Sequence, residues 1–148
     1  MGATRTVSCV FCEIVAGRQS GEIVLREDGV TAFLDRRPVF KGHVLIVPDE
    51  HVETLPDLDA ARVAPLFAIA RRVTRSLPRA LAADGTWVAI NNTISQSVPH
   101  LHVHVVPRRK GDGLRGFFWP RVAYASDEER AGIAERIRAA LQQDAAIP

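Results

Sequence analysis

Three of the five histidines in the sequence stand at every second position, in the segment His100-Leu101-His102-Val103-His104. A β-strand directs successive side chains to opposite faces, so this alternation predicts three imidazoles on one face and aliphatic side chains on the other. Imidazole titrates near neutral pH, binds metal ions and acts as a nucleophile. These three histidines are therefore the first candidates for chemistry in this chain.

The alternating histidines have three interpretations. The first is a strand with a solvated polar face, although such faces usually carry Thr, Lys, Glu or Ser. The second is a metal site, but at about 3.3 Å per residue His100 and His104 would lie about 13 Å apart, so one ion cannot bind all three. The third is nucleophilic catalysis, with Gln96 and Ser97 just upstream supplying an amide and a hydroxyl for phosphate oxygens. We favour the third, with a metal ion at one end of the segment left open.

The motif His-φ-His-φ-His-φ-φ, in which φ is hydrophobic, is complete at residues 100–106, and Gln96 and Ser97 precede it. In this combination the segment resembles the signature of the histidine triad (HIT) family of nucleotide hydrolases and transferases, in its Hint- and Fhit-like branch of bacterial type. The resemblance covers residues 9–110 and is strongest at 96–107. It implies an α+β fold, in which a five-stranded antiparallel sheet packs with a long helix and a C-terminal helix, and it implies a homodimer.

The resemblance also implies a reaction. His102 would attack the α-phosphorus of a nucleotide derivative, form a nucleotidyl-histidine and release a nucleoside monophosphate after hydrolysis. His104 and the amide of Gln96 would neutralise the non-bridging oxygens, and Ser97 or a protonated histidine would protonate the leaving group. Gly-His before an apolar strand is typical of the family, so His43 is expected to orient His102 or to bind phosphate. The implied catalytic residues are His43, Ser97, His100, His102 and His104, with no catalytic cofactor.

Nucleotide contacts follow from the same resemblance. Asp35 comes directly after a predicted strand, where a family acidic residue holds the ribose hydroxyls, while Arg36 replaces an aliphatic residue of many relatives. Asn91 or Asn92 matches an asparagine that binds phosphate or ribose. Val10, Phe11 and Phe33 match family positions that pack around the nucleotide base, and without the resemblance they would be read as ordinary core residues. The implied nucleotide-binding residues are Val10, Phe11, Phe33, Asp35, Asn91, Gln96, Ser97, His102 and His104, for a ligand of the AMP or GMP type.

Cys9 and Cys12 form a Cys-x-x-Cys pair. A thioredoxin-like redox motif would need a parallel βαβ context, which the sequence does not suggest, and two small apolar residues in a turn are the plain alternative. His51 and His100 are candidate partners that would complete a tetrahedral Cys₂His₂ site. Bacterial relatives with this motif bind zinc at these four positions, so the resemblance implies a structural Zn²⁺. A closed site of four ligands has no open position for catalysis.

The leaving group is not specified by the sequence. The Gln96-Ser97 pair is similar to Hint-like phosphoramidases, whereas residues 108–112, which read Arg-Arg-Lys-Gly-Asp, are similar to dinucleoside polyphosphate hydrolases. These three cations would hold a longer phosphate chain or simply face solvent. The aromatic run at 117–119 would close over the site or pack against a dimer partner. Adenosine phosphoramidates and diadenosine tetraphosphate are therefore both expected substrates.

Two other functions remain open. One is a purine-nucleotide-binding or adaptor protein without catalysis, although a pure binder has no need for three alternating imidazoles. The other is a metal-dependent hydrolase that uses His100 and His102, although the strand is followed by Arg and Lys and no nearby Asp or Glu completes the ligands. Loss of activity on chelation would favour the metal-dependent hydrolase.

Composition limits the class of protein. The 148 residues are of single-domain size, with a core at about 9–110 and a variable C-terminal segment at 111–148 that contains a helix. A net charge of +2 is too small to predict nucleic acid or an anionic membrane as a partner. We expect a cytoplasmic protein, since no apolar run reaches the length of a membrane span and no signal-peptide core is evident. Two cysteines are too few for a disulfide framework.

Strands are predicted in five segments, which are Ile23–Glu27, Val30–Leu34, 43–48, 85–91 and 100–106. The first two are joined by Asp28-Gly29, the expected dipeptide of a tight hairpin turn. The segment 43–48 is nearly all apolar, as a central strand requires. Early hairpin connections and few helices indicate an antiparallel sheet with helices packed on one side.

Helices are predicted in three places. Residues 9–17 form a short turn that Gly17 ends, and a long helix runs from Asp57 or Asp59 to Ser76, with a kink or a late start at Pro65. Its predicted inward stripe is Val63, Leu66, Phe67, Ala70, Val73 and Leu77. A capping box from Ser126 opens a final helix. The residues of this last helix predicted to face inward are Ile133, Ile137 and Leu141.

Overall fold

The computed structural model describes residues 8–114 and 121–145, which fall into two units that divide between Asp112 and Gly113. The elements of the first unit are α1 (Val10–Val15), β1 (Ile23–Glu27), β2 (Val30–Leu34), β3 (Val44–Pro48), a 3₁₀ turn (Leu55–Asp57), α2 (Ala60–Leu81), β4 (Gly85–Ala89) and β5 (Val103–Arg108). The second unit contains α3 (Asp127–Ala145). The aromatic run predicted to cover the site, 117–119, lies outside the described residues.

The five strands form one antiparallel sheet in the order β1-β2-β3-β5-β4. All five residues of β3 are buried, as expected of the central strand. The predicted α+β class with a five-stranded antiparallel sheet is therefore confirmed. β4 ends at Ala89, two residues before its predicted end.

The hairpin of β1 and β2 has the predicted boundaries. Asp28 and Gly29 both adopt positive φ angles, of 51° and 70°, which is the conformation that a two-residue turn between twisted strands requires. Asp49 N–H donates to the carbonyl of Gly29 at 2.8 Å, and the Arg62 guanidinium donates to the carbonyl of Asp28. These hydrogen bonds connect the turn to Asp49, directly after β3, and to α2.

α2 begins where its cap predicts and ends later than predicted. The Asp59 carboxylate accepts a hydrogen bond from Ala61 N–H at 2.8 Å, which satisfies a free donor of the first turn. A late start at Pro65 is therefore wrong, because Pro65 and Pro78 both lie inside the helix. The helix continues past Ser76 to Leu81.

The buried face of α2 differs from the predicted stripe at its edge. The buried residues are Leu66, Ile69, Ala70, Val73 and Leu77. Val63 and Phe67 each keep 39% of their surface exposed, so their predicted inward position is wrong. At 100° per residue they lie roughly 60° and 100° from the centre of the buried arc, beyond the face that contacts the sheet.

The histidine strand starts later than predicted. β5 begins at Val103, whereas His100 N–H donates to Val98 O at 2.8 Å and Leu101 N–H donates to Val52 O at 2.7 Å. These bonds hold the segment before β5 in a bend, so regular alternation begins only after His100. The three imidazoles consequently do not share one strand face.

The sheet has a different apolar cluster on each face. Ala32, Val44, Ile46, Val103 and Val105 join the α2 residues in one cluster. The residues that alternate with them face the other way, where Phe33, Leu45 and Val47 pack with Phe11 and Ile14 of α1. By the same alternation His43 and His104 point toward the α1 face. This face carries the candidate site.

The second unit consists of α3 and its approach. The Ser126 hydroxyl accepts a hydrogen bond from Glu129 N–H at 3.0 Å, which confirms the predicted start of the helix. Ile133 is half-buried, but Ile137 and Leu141 keep 55% and 62% of their surface exposed, so their predicted inward position is wrong. Across both described segments, no helix is long and apolar enough to cross a bilayer.

Candidate functional site

A cavity of about 480 Å³ lies between α1 and the sheet face that it covers. Its apolar lining consists of Val10, Phe11, Ile14, Phe33, Leu45 and Val98. Its polar lining consists of Asp35, Arg36, Arg37, Ser97, His102 and His104. Its volume falls in the range of small-ligand pockets, and an apolar wall beside a few polar groups is the usual composition of such sites.

The cavity brings together most of the residues that the sequence singled out for nucleotide binding. Seven of the nine line it: Val10, Phe11, Phe33, Asp35, Ser97, His102 and His104. Sequence reasoning missed Ile14, Leu45, Arg37 and Val98. Ile14 stands three residues after Phe11 on a helix, and Leu45 stands two after His43 on a strand, so periodicity alone could have found these two.

Two predicted nucleotide contacts do not line the cavity. The Gln96 side chain accepts from Thr93 N–H at 2.8 Å and donates to the carbonyl of Glu53 at 2.6 Å, while the Asn91 amide donates to the carbonyl of Ser95 at 3.3 Å. Thr93 and Ser95 both have positive φ angles, of 70° and 59°, and side-chain hydrogen bonds support this tight connector. The amide of Gln96 is thus engaged in the loop in this structure, and its contact with phosphate stays a prediction.

His102 is held in one tautomer by the backbone. Its Nδ1 lies 2.6 Å from the carbonyl oxygen of His100, and because a carbonyl can only accept, Nδ1 carries the proton. The lone pair is therefore on Nε2. The ring is only 3% exposed and packs edge-on against Phe11, with ring centroids 5.1 Å apart. The carbonyl thus fixes the orientation of the His102 ring and leaves Nε2 as the nitrogen that can act as a nucleophile.

His104 is oriented by a chain of two hydrogen bonds. Val39 N–H donates to Nδ1 of His43 at 3.2 Å, so His43 carries its proton on Nε2 and donates it to Nδ1 of His104 at 3.0 Å. His104 must then carry its own proton on Nε2. This Nε2 is buried and has no hydrogen-bond partner among the described residues. His104 therefore contributes an unused N–H beside the nucleophile, at a ring-centroid distance of 4.8 Å from His102.

The electrostatics of the site favour neutral imidazoles. Burial, together with the neighbouring His102 and His43, lowers the pKa of His104 to about 4. Burial also lowers the pKa of His43, against the opposing effect of Asp35. Both rings are thus neutral at pH 7, in agreement with a chain in which each imidazole must accept at Nδ1.

Asp35, His43 and His104 also lie close enough together to suggest a metal site. The hydrogen bonds argue against it. The lone pair of His43 accepts Val39 N–H, and the lone pair of His104 accepts from His43, so neither neutral ring has one to offer. Asp35 accepts from Arg37 N–H at 2.8 Å and keeps its second carboxylate oxygen 3.7 Å from His43.

Cys9, Cys12, His51 and His100 meet as predicted, with their four ligand atoms within 4.8 Å of one another. The separations from sulfur to Nδ1 are 3.4 Å for Cys9–His100, 3.3 Å for Cys12–His51 and 3.5 Å for Cys12–His100. Zn–S and Zn–N bonds in a tetrahedral site place sulfur and nitrogen about 3.6 Å apart. These donors therefore fit a zinc ion in both type and spacing.

His100 has a supporting contact of the kind that metal-binding histidines usually make. Its Nε2–H donates to the carbonyl of Pro48 at 2.8 Å, so the lone pair lies on Nδ1, toward the cysteines. The ring is fully buried and does not line the cavity. A metal-dependent hydrolase with His100 and His102 as shared ligands is thus disfavoured, and the implied catalytic role of His100 reduces to its carbonyl.

The cations after the triad do not reach the cavity. Arg108 pairs with Asp112 through two contacts, of 2.6 and 3.1 Å, and Arg109 donates to the carbonyl of Leu81 at the end of α2. Neither they nor Lys110 line the cavity. The two arginines are therefore engaged elsewhere than in the predicted contact with a longer phosphate chain, Arg108 in the turn after β5 and Arg109 at the end of α2.

Several curated proteins are similar to this chain. An uncharacterised HIT-like protein of Mycobacterium tuberculosis is 38% identical over 144 residues, 93% of this chain and 96% of that protein. The adenosine 5'-monophosphoramidase of Schizosaccharomyces pombe is 30% identical and covers 92% of this chain and all of that enzyme. The asymmetrical bis(5'-nucleosyl)-tetraphosphatase of the same yeast is 35% identical, over 55% of this chain and 46% of that enzyme.

Solved structures and a family model agree with these relatives. A Streptococcus mutans protein superposes with a TM-score of 0.80 at 37% identity, over 95% of this chain and 89% of that one. A Zn-bound histidine triad family protein of Mycobacterium smegmatis has a TM-score of 0.69 at 36% identity, over 89% and 97% of the two chains. The HIT domain family model matches residues 16–111. The chain therefore belongs to the histidine triad family.

Proposed function

We propose that this protein is a nucleotide hydrolase that acts at the α-phosphate of a nucleoside phosphate derivative and releases a nucleoside monophosphate. The observation that carries the proposal is the arrangement of two neighbouring imidazoles in one cavity. His102 offers a lone pair at Nε2, and His104 offers an Nε2–H that no described group accepts. A nucleophile beside a fixed donor suits attack on a phosphate whose oxygens gain charge.

In the first step Nε2 of His102 attacks the α-phosphorus, a P–N bond forms, and the bond from phosphorus to the leaving amine or phosphate breaks. The Nδ1–H bond to the His100 carbonyl stabilises the positive charge that the substituted imidazole gains. His104 N–H donates to a non-bridging oxygen. Ser97, which lines the same cavity, is the proposed proton donor to the leaving group.

In the second step a water molecule attacks the phosphorus, the P–N bond breaks, and the nucleoside monophosphate leaves with His102 neutral again. The proton released by the water restores the hydroxyl that protonated the leaving group. No metal ion takes part in either step. The reaction rests on positioning and on neutralisation of phosphate charge, which is the usual basis of phosphoryl-type transfer.

The remaining lining provides for the nucleoside. Asp35 has two acceptor oxygens for the ribose diol, and the aromatic and aliphatic wall that includes Phe11 and Phe33 provides a surface for the base. Arg36 and Arg37 make the entrance favourable for an anionic ligand. An adenosine or guanosine monophosphate unit is the ligand we assign to this cavity.

Two classes of substrate are supported by relatives. Similarity to an adenosine 5'-monophosphoramidase extends over nearly the whole chain, whereas similarity to a bis(5'-nucleosyl)-tetraphosphatase covers about half. Arg108 is paired within its own turn and Arg109 binds the end of α2, so these arginines provide no evident subsite for a long phosphate chain. We therefore rank an adenosine phosphoramidate first and diadenosine tetraphosphate second.

We also propose that Cys9, Cys12, His51 and His100 hold a structural Zn²⁺. The donor types and spacing support this, as does the similarity to a zinc-bound family member. Bound zinc would connect the start of α1, which carries Cys9 and Cys12, to His51 after β3 and to His100 before β5. A homodimer remains a prediction, which sedimentation equilibrium would test.

A product assay tests the proposed function. Purified protein, with and without a chelator, is incubated with an adenosine phosphoramidate, diadenosine tetraphosphate and a nucleotidyl sugar, beside the variant His102→Ala. Release of AMP by the wild type alone would support the proposal, and a substantially active variant would refute the role of His102. If no substrate is turned over while AMP still binds, the protein is a nucleotide binder and the hydrolase proposal fails.

A further inference from the structure

We propose that the zinc site positions the nucleotide site, so that zinc occupancy controls both the affinity for a nucleoside monophosphate and the orientation of His102. This inference rests on the proposed function for the identity of the ligand. It goes beyond a purely structural role for the metal, because it assigns the four ligands a specific effect on the cavity. Two sets of contacts carry it.

The first set of contacts runs through His100. Its Nδ1 belongs to the four-ligand cluster, and its own carbonyl oxygen accepts the Nδ1–H of His102 at 2.6 Å. One residue therefore contributes its ring to the metal and its backbone to the nucleophile. Because His100 precedes β5, its backbone lies outside the strand pairing. It is held by the hydrogen bonds of its own N–H to Val98 and of the next N–H to Val52, and by its ring. Loss of a metal ion would remove one of these restraints, the one at Nδ1 of the ring, and so loosen the carbonyl that accepts from His102.

The second set of contacts runs through α1. Cys9 and Cys12 bracket Val10 and Phe11, which both line the cavity. Phe11 packs edge-on against both histidines, with ring centroids 5.9 Å from His100 and 5.1 Å from His102. The two ligands thus hold one wall of the cavity against the nucleophile.

α1 is too short to hold this wall by itself. It has six residues, and an isolated helix of that length is not stable in water. Phe11 and Ile14 pack against Phe33, Leu45 and Val47 of the sheet. α1 also accepts hydrogen bonds from the Arg26 guanidinium at the carbonyls of Ile14 and Val15. These hydrogen bonds lie at its far end, away from the cysteines. Metal binding by Cys9 and Cys12 would therefore add a restraint at the end of the wall that carries Val10 and Phe11.

His51 allows the two sites to be separated experimentally. Its side chain is exposed, its ring lies against Cys12 and His100 within the four-ligand cluster, and it does not line the cavity. His51→Ala therefore removes one metal ligand without touching the nucleotide site. Glu50→Ala, at an exposed position beside it, is the matched control that leaves all four ligands in place.

The test measures three quantities for the wild type, His51→Ala and Glu50→Ala. Zinc content is determined by atomic emission, AMP affinity by titration calorimetry, and the His102 tautomer by the ¹⁵N–¹H signals of the imidazoles. Far-UV circular dichroism checks that each chain is folded. The wild type is also measured after chelation and again after zinc is returned, in case His51→Ala retains its metal.

We expect zinc loss to weaken AMP binding by about 10- to 100-fold and to weaken or remove the protected Nδ1–H signal of His102, with recovery when zinc is returned. Glu50→Ala should match the wild type. A folded, zinc-free protein that binds AMP as the wild type does, with the Nδ1–H signal unchanged, would overturn the inference.

The outcome is distinguishable from failure of the proposed function. If the zinc-loaded wild type binds AMP but turns over no substrate, the hydrolase proposal fails. The dependence of AMP affinity on zinc is then still decided by the comparison of the zinc-loaded and zinc-free proteins. If it binds no AMP, the proposed function fails, and the His102 signal with and without zinc still decides whether the two sites are coupled.

Discussion

Removal of the hydrogen bond between His43 and His104 should abolish most turnover while leaving the nucleophile intact. His43 is 3% exposed, and its Nε2–H is the donor that fixes His104 with its own N–H on Nε2. In His43→Asn the shorter side chain still offers an acceptor to Val39 N–H but does not reach His104. Nδ1 of His104 then lacks a donor, and the ring is free to carry its proton there.

The expected changes in stability and in kcat follow from the hydrogen bonds that His43→Asn removes in the folded protein and in the transition state. An unsatisfied buried acceptor costs about 1–3 kcal/mol of unfolding free energy, so the variant should remain folded in a domain of ordinary stability. A fixed donor to the charged oxygens of a transition state contributes about 10²- to 10³-fold to kcat. We therefore expect kcat to fall by that factor and the Kd for AMP to change little.

His43→Gln is the matched control for this prediction. Its longer amide can place a donor near the position of Nε2, so it should restore much of the activity. The assay is steady-state AMP release, together with AMP affinity and urea unfolding for each variant. A His43→Asn enzyme with wild-type kcat would refute the reasoning that His43 sets the donor on His104.

Other predictions concern stability and substrate choice. Since burial depresses the pKa of His104 from 6.5 to about 4, its contribution to stability is complete above pH 6.5 and is lost as the pH falls toward 4. Between pH 7 and 4 the unfolding free energy of His104→Asn, measured with urea, should therefore fall less than that of the wild type, by roughly 3 kcal/mol at most. An equal fall in unfolding free energy for the two proteins would contradict this. Leu66→Ala, at a fully buried position of α2, should lower the unfolding free energy by about 2–5 kcal/mol in the same assay, and a change below about 1 kcal/mol would place Leu66 outside the core. Arg109→Met should leave unchanged the ratio of kcat/KM for diadenosine tetraphosphate to kcat/KM for the phosphoramidate, because Arg109 binds the end of α2. A loss of kcat/KM with the tetraphosphate alone would instead support the predicted contact of Arg109 with phosphate.

Local signals in the sequence were sufficient for the parts of the fold that depend on neighbouring residues. Asp28-Gly29 predicts the hairpin because few other dipeptides adopt two consecutive positive φ angles. Asp59 predicts the start of α2 because its carboxylate satisfies an amide two residues away. In both cases the group and its partner are adjacent in the chain.

The parts that could not be predicted depend on partners far away in the sequence. Leu101 N–H before β5 is bonded to the carbonyl of Val52, and the Gln96 amide donates to the carbonyl of Glu53. The orientation of His104 depends on His43, 61 positions earlier. No periodicity in the sequence contains such information.

The family resemblance provided what periodicity could not for the site. It brought Asp35 and Phe33 together with the histidines, and the structure finds them in one cavity. It also proposed the four zinc ligands, which converge although they come from three separate segments. The tautomer of His104 could not be predicted in this way, because it is set by the His43 side chain, whose own tautomer is set by the Val39 amide.

The central claim is that His102 carries the nucleotidyl group during turnover. The most direct test is rapid quenching of the enzyme with an adenosine phosphoramidate, followed by intact-protein and peptide mass spectrometry. The account predicts one adenylyl group per chain on the peptide that contains His102, which appears before AMP does and is absent from His102→Ala. Full turnover by the wild type with an adduct on a different residue, or equal AMP release by His102→Ala, would contradict it.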